Sequence, residues 1–121
     1  MLLDSHVAVW WLTNNPRLSP AAAAMIANCT GTLVVSTASV WELEIKRASG
    51  KFDGLGLREA LPLADIPILE ITADDAVRAA HLPPHHADPF DRMIVAQAIE
   101  RGLPLVSADA AMRAYDLRVI S

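Results

Sequence analysis

Five short apolar runs, the first four each followed closely by a helix-start signal, constrain this chain more than any other feature. They are Met1–Leu3, Leu33–Ser36, Ile68–Ile71, Leu105–Ser107 and Leu117–Ile120. Each is too short for a buried helix and reads as a strand covered on both faces. Between them lie helical stretches with recognisable ends. Val7–Leu12 reads as a short helix stopped by Asn14, Asn15 and Pro16, and Ser19-Pro20 reads as an N-cap with proline at the first helical position, opening a helix to about Asn28. A helix is expected from about Thr37 to Gly50, then a loop over 51–57 and a short helix over Leu57–Leu63. Thr72 with Asp75 resembles a capping box for a helix to about His81. Asp88-Pro89 starts another that runs to Gly102, and Asp109–Tyr115 reads as a last short helix. Strands alternating with helices give an α/β fold: a three-layer α/β/α sandwich around a mostly parallel sheet of about five strands, in one domain over residues 1–121.

Composition narrows the function. At 121 residues and 53% hydrophobic the chain has enough apolar material for one core, and disorder is excluded. The net charge of −4 and a pI near 5.4 exclude gripping nucleic acid by bulk positive charge, because such domains have pI above about 9. The single cysteine, Cys29, cannot form an internal disulfide, which suits a reducing compartment. With no basic leader before the first apolar run and no apolar run of about 18 residues, a cytoplasmic chain with no membrane span is expected.

In open α/β sheets, ligands bind beyond the carboxyl ends of the strands, at a switch in strand order. Asp4 directly follows the first strand, and Asp109 follows the fourth after one intervening residue. Glu42 lies in the second turn of the helix after the second strand. Asp91 lies in the first turn of the helix before the fourth, on a face it shares with Ile94, Val95 and Ala98. Carboxylates at the margin of apolar faces need a counter-charge. With ten basic residues in the chain, a divalent ion is the expected one. All-oxygen sites suit Mg2+ or Mn2+, one ion or two about 4 Å apart, and such a site supports phosphodiester hydrolysis.

The segments LLDSHVAVWWL, VSTASVWELEIKRASGKF, LPPHHADPFDRMIVAQAIERGLPLVSAD and AYDLRVI, in that order, resemble the PIN-domain family, and among its members the VapC-type toxins of bacterial toxin–antitoxin pairs. The resemblance covers nearly the whole chain. It implies a metal-dependent endoribonuclease acting on RNA as the toxin of a type II pair. Asp4, Glu42, Asp91 and Asp109 would be the metal-holding, catalytic acids, with Ser5 and Ser107 as supporting hydroxyls. It also implies a small VapB-like antitoxin that covers the active site, and assembly as a homodimer. The alternative is a catalytically silent PIN module that binds RNA or a partner.

Each site residue has a plainer role beside the chemical one. Asp4 and Asp109 are good helix N-caps, and Asp88 with Asp91 forms an acidic capping pair. Glu42 and Lys46 have the spacing of a helix salt bridge. Lys46 and Arg92, with Arg47, are candidates to bind phosphate against a default of solvated surface. Trp10, Trp11 and Trp41 suit base stacking or, more commonly, core and interface. His85 and His86 lack the second pair that would close a zinc site and read as a polar loop. Asp74 and Asp75 read as charges favoured at a helix start. Two rival magnesium folds fail on residues: His6 stands where a phosphatase needs a second aspartate, and no lysine follows Lys51 for a phospho-receiver.

Overall fold

The structure, a computed structural model, describes residues 1–121. Its elements in chain order are β1 (Leu2–Leu3), α1 (Ser5–Leu12), α2 (Pro20–Ala27), β2 (Val34–Ser36), α3 (Thr37–Ala48), α4 (Leu57–Leu63), β3 (Ile68–Leu69), α5 (Ala73–His81), α6 (Pro89–Arg101), β4 (Leu105–Val106), a 3-10 turn (Ala110–Ala114) and β5 (Val119–Ile120). The strands pair in the order β3-β2-β1-β4-β5, all parallel. This is the expected α/β/α sandwich.

The two-residue strands show why the runs had to be apolar throughout. Leu3, Val35 and Val106 pack on one face against Val7, Ala8, Ala22, Ile26, Leu43, Leu57 and Leu61, which come from α1, α2, α3 and α4. Leu2 and Leu105 face the other way, against Ala38, Ile94, Val95, Ala98, Met112 and Tyr115. Successive side chains of a strand point to opposite faces, so a strand between two helical layers takes a polar residue only where it is satisfied locally, as Ser36 at the end of β2 is by accepting the Ala38 N–H. Each fully buried leucine or valine of this kind stabilises the fold by about 1.5–3 kcal/mol.

The helix ends follow the capping residues. Ser19 accepts from the Ala22 N–H, Thr72 and Asp75 form the reciprocal box, and Asp88 accepts from the Phe90 and Asp91 N–H groups. Gly102 ends α6 in the left-handed conformation at φ 62°, where a side chain would be strained. Several boundaries differ from expectation. The first helix begins at Ser5, two residues early, because Asp4 caps it through the Val7 N–H at 2.8 Å. The segment after Asp109 is a 3-10 turn, and β3 and β5 are shorter than their apolar runs. No helix is long and apolar enough to cross a membrane.

Candidate metal centre

The chain runs from β1 to β2 to β3 on one side, then returns to place β4 on the other side of β1. The switch point therefore lies between β1 and β4, and the residues just beyond these two strands are Asp4 and Ser107–Asp109. Ser107 joins them: its Oγ accepts the Asp109 N–H at 3.1 Å, and its hydroxyl acts to lower the pKa of the Asp4 carboxyl. Ser5 does a different job, donating to Ser39 Oγ at 2.8 Å and so tying α1 to α3 at the edge of the site.

Asp4 is 5% exposed, and burial pushes its carboxyl above the usual range against the opposing bonds from Ser107 and Val7. Asp91 is pushed up to about 7, first by burial and then by the charge of Asp88, with Glu42 and Asp4 adding to it against the opposing pull of His86. Only half of the capping pair between Asp88 and Asp91 forms: Asp88 accepts the Asp91 N–H at 3.2 Å, but the Asp88 N–H that the Asp91 carboxylate would accept from is given to His86 Nδ1 at 3.1 Å. Asp91 is thus left facing the other acids.

Glu42 sharpens the picture. Its Oε1 is buried and has no hydrogen-bond partner, and the i, i+4 pair with Lys46 is not formed. An unsatisfied carboxylate oxygen beside further carboxylates is costly unless a cation completes the cluster. No lysine or arginine pairs with Asp4, Glu42, Asp91 or Asp109. The donor set fits a hard divalent cation.

His86 is the residue that sequence reasoning placed in a polar loop. Its Nε2 lies 2.7 Å from Asp109 Oδ2 and 3.1 Å from Asp91 Oδ2, and ligand atoms of the three residues lie within 4.8 Å of one another. Because Nδ1 accepts from Asp88, the neutral ring carries its proton on Nε2, facing both acids. Burial lowers the imidazole's pKa, but the Asp109 bond and the charges of Asp91, Asp109 and Asp88 outweigh it and raise the value. Asp109 moves the opposite way: burial raises it, while the bonds from His86 and the Ala111 N–H bring it below the ordinary range. The pairing that reveals His86 spans 23 residues and depends on the turn after β4. The only sequence signal was its place two residues before the Asp88 cap.

Arg92 corrects an expectation. Its guanidinium donates to four backbone carbonyls, of Ala79, Leu82, Pro83 and His86, at 2.9–3.3 Å. It is a clamp on the loop that carries His86, with four of its five N–H donors committed to backbone. Gln97 acts similarly further along α6, donating weakly to Leu69 and Glu70 carbonyls at the end of β3. Trp41 is 62% exposed and meets Phe90 edge-to-face at 5.0 Å, between neighbours Glu42 and Asp91. Trp11 packs against the core.

A family model described as the PIN domain matches residues 1–117. The chain belongs to the PIN-domain family. It is 36% identical to ribonuclease VapC22 of Mycobacterium tuberculosis, over 95% of this chain and 91% of that protein. Solved structures with the same PIN fold include FitAcB from Neisseria gonorrhoeae, with a TM-score of 0.72 and 21% identity over 99% of this chain and 96% of that one. A toxin–antitoxin complex from Klebsiella pneumoniae gives a TM-score of 0.70 at 19% identity, covering 99% and 95%. VapBC2 from Rickettsia felis, bound to a promoter DNA fragment, gives 0.67 at 14%, covering 99% and 98%.

Proposed function

We propose that this PIN chain is a Mg2+- or Mn2+-dependent endoribonuclease and the toxin of a type II toxin–antitoxin pair, acting as one domain in the cytoplasm. The observation that carries the reading is the convergence of Asp91, Asp109 and His86, whose ligand atoms lie within 4.8 Å of one another with no lysine or arginine paired to them; Glu42, its Oε1 buried and unpartnered, and Asp4 stand outside that group. It is supported by the relative named as a ribonuclease and by the toxin–antitoxin complexes that share the fold. A VapB-like antitoxin partner and a homodimer belong to the same proposal.

Asp4, Glu42, Asp91 and Asp109 would hold one or two ions, with His86 in reach of the last two. A bound divalent ion supplies a Lewis acid for phosphoryl oxygens and lowers the pKa of a bound water toward neutrality. The chain's own part is electrostatic. Asp91, half protonated near pH 7 without a cation, gives up its carboxyl proton when a positive charge offsets Glu42 and Asp4. Ser107 holds Asp4 and the Asp109 backbone in register, and His86 fixes the orientation of the Asp109 carboxylate.

The test is cleavage of total cellular RNA by the purified chain, free of antitoxin, with Mg2+ or Mn2+ and with EDTA, beside Asp91→Asn. Discrete cuts that need metal and vanish in the variant are expected. Folded, metal-loaded protein that leaves all RNA intact would overturn the nuclease reading in favour of the silent binding module. Equal cutting by both proteins would remove Asp91 from the site.

A further inference from the structure

Next to the acids lies a cavity of about 200 Å3 with quite different chemistry. Ser5 and Glu42 line it on the side of the acids, and the rest of its wall includes His6, Trp10, Lys46 and Lys51, with Phe52. These are the chain's only two lysines. Neither forms an ion pair, whereas Arg47, Arg78 and Arg101 pair with acids and Arg92 gives four of its N–H donors to carbonyls. Both unpaired lysines thus line one small cavity that Glu42, with its orphaned carboxylate oxygen, also lines.

The aromatic part is equally ordered. His6 and Trp10 are one turn apart on α1, with ring centroids 5.8 Å apart and planes inclined by 29°. Phe52 is held under the following loop: a Cβ at Gly54 would come within 2.6 Å of its Cζ, so only glycine allows that approach. A stacked ring pair, an apolar ring and two strongly hydrated point charges match a ligand with a planar base and a phosphate.

We propose that this cavity takes the nucleotide next to the scissile phosphate of single-stranded RNA, its base against the His6–Trp10 pair and its phosphate on Lys46 and Lys51. The proposal rests on the nuclease reading above and deepens it. The two lysines and the ring pair position the strand; the acids across the Glu42 edge do the chemistry. A cavity of about 200 Å3 is smaller than a whole nucleotide, so it takes only the part of one that faces the rings and the lysines, and confers a preference at one position beside the cut.

The experiment uses the full chain loaded with Mg2+ and a short single-stranded RNA spanning one mapped cut. Steady-state cleavage is compared for wild type, the double variant Lys46→Gln/Lys51→Gln, the double variant with arginine at both positions, and His6→Ala. The glutamine pair is expected to raise KM about tenfold or more, to change kcat by less than about twofold, and to flatten the dependence of log KM on log salt by roughly 0.7 per lost phosphate contact. Arginine at both positions should restore KM and the salt slope. His6→Ala should raise KM about fivefold, a loss that disappears when the RNA carries an abasic sugar beside the cut.

A wild type that cuts RNA while the glutamine pair keeps its KM and salt slope would overturn the subsite and leave the nuclease standing. If that pair instead escapes inhibition by the antitoxin with unchanged RNA kinetics, the cavity is a protein dock and the proposal is wrong. A wild type inert on every RNA would sink the nuclease reading and this one with it.

Discussion

Asp75 and Asp91 occupy the same place in their local sequences. Each is the third residue of a helix, three after a capping Thr72 or Asp88, and α5 and α6 pack against each other. Their fates are opposite. Asp75 accepts the Thr72 N–H at 2.9 Å and two bonds from Arg101 at 2.8 and 2.9 Å, and these bonds bring its carboxyl down to about 2 despite near-complete burial. Asp91 finds its capping N–H already taken by His86 and its surroundings acidic, and rises to about 7. One aspartate is finished by the fold itself; the other is left to be finished by something from outside. A carboxylate that the protein declines to satisfy marks a site of function better than a charged residue as such.

The sharpest way to break this contrast is activity. Asp91→Asn should lower metal-dependent RNA cleavage by about 10^2–10^3-fold, of the order seen when a preorganised charge is removed from an active site. Asp75→Asn should leave turnover per folded molecule unchanged. Stability should invert the ranking. Losing the Asp75–Arg101 pair through Asp75→Ala should destabilise by about 3 kcal/mol, a fall of roughly 10 °C in Tm, measured by urea and thermal unfolding. In metal-free buffer Asp91→Asn should raise Tm, since it removes a carboxylate crowded by like charges.

Acid titration of metal-free stability separates the two residues again. Asp75 is depressed from 3.8 to about 2, so its stabilisation is complete above about pH 4 and is lost as pH falls toward 2. Asp91 is raised from 3.8 to about 7, so the folded state holds a proton the unfolded chain does not between those values. Stability should therefore rise as pH falls from about 7 to about 4, and the raised His86 acts in the same direction. Asp91→Asn should diminish that rise, and Asp75→Asn should flatten only the limb below pH 4. A wild-type profile without the rise would mean that Asp91 is not crowded in solution. The smallest effect is expected from Arg92→Lys, which loses the four-carbonyl clamp: a Tm drop of a few degrees, about 1 kcal/mol, with cleavage reduced through the displaced His86 loop.

What could be read in advance follows the range of the interaction that decides it. Strands, caps and the sandwich are set by apolar periodicity and by side chains bonding their own backbone within three residues, and so were legible. Asp4, Glu42, Asp91 and Asp109 were legible as candidates because strand ends and helix faces are themselves local. The early start of α1 was misplaced because Asp4, weighed first as a candidate ligand, caps the helix directly after β1. His86 and Arg92 escaped because their partners are Asp109 and a set of backbone carbonyls, which no pattern in the chain advertises. The Lys46–Glu42 pair, allowed by spacing, is absent because Glu42 Oε1 turns inward.

The sheet order has a further consequence, for the timing of synthesis. β1 is central, yet one of its two neighbours, β4, is made more than a hundred residues later, and Asp4 waits for Asp109. Chains grow from the N-terminus at about 5–20 residues per second. For the roughly 1–3 seconds in which Asp4, Glu42 and Asp91 all exist before β4 is made, and for longer before that, the edge of β1 that will receive β4 has no partner. The candidate acids can come together only once Asp109 has been made, so a chain abandoned before β4 carries no complete set of them.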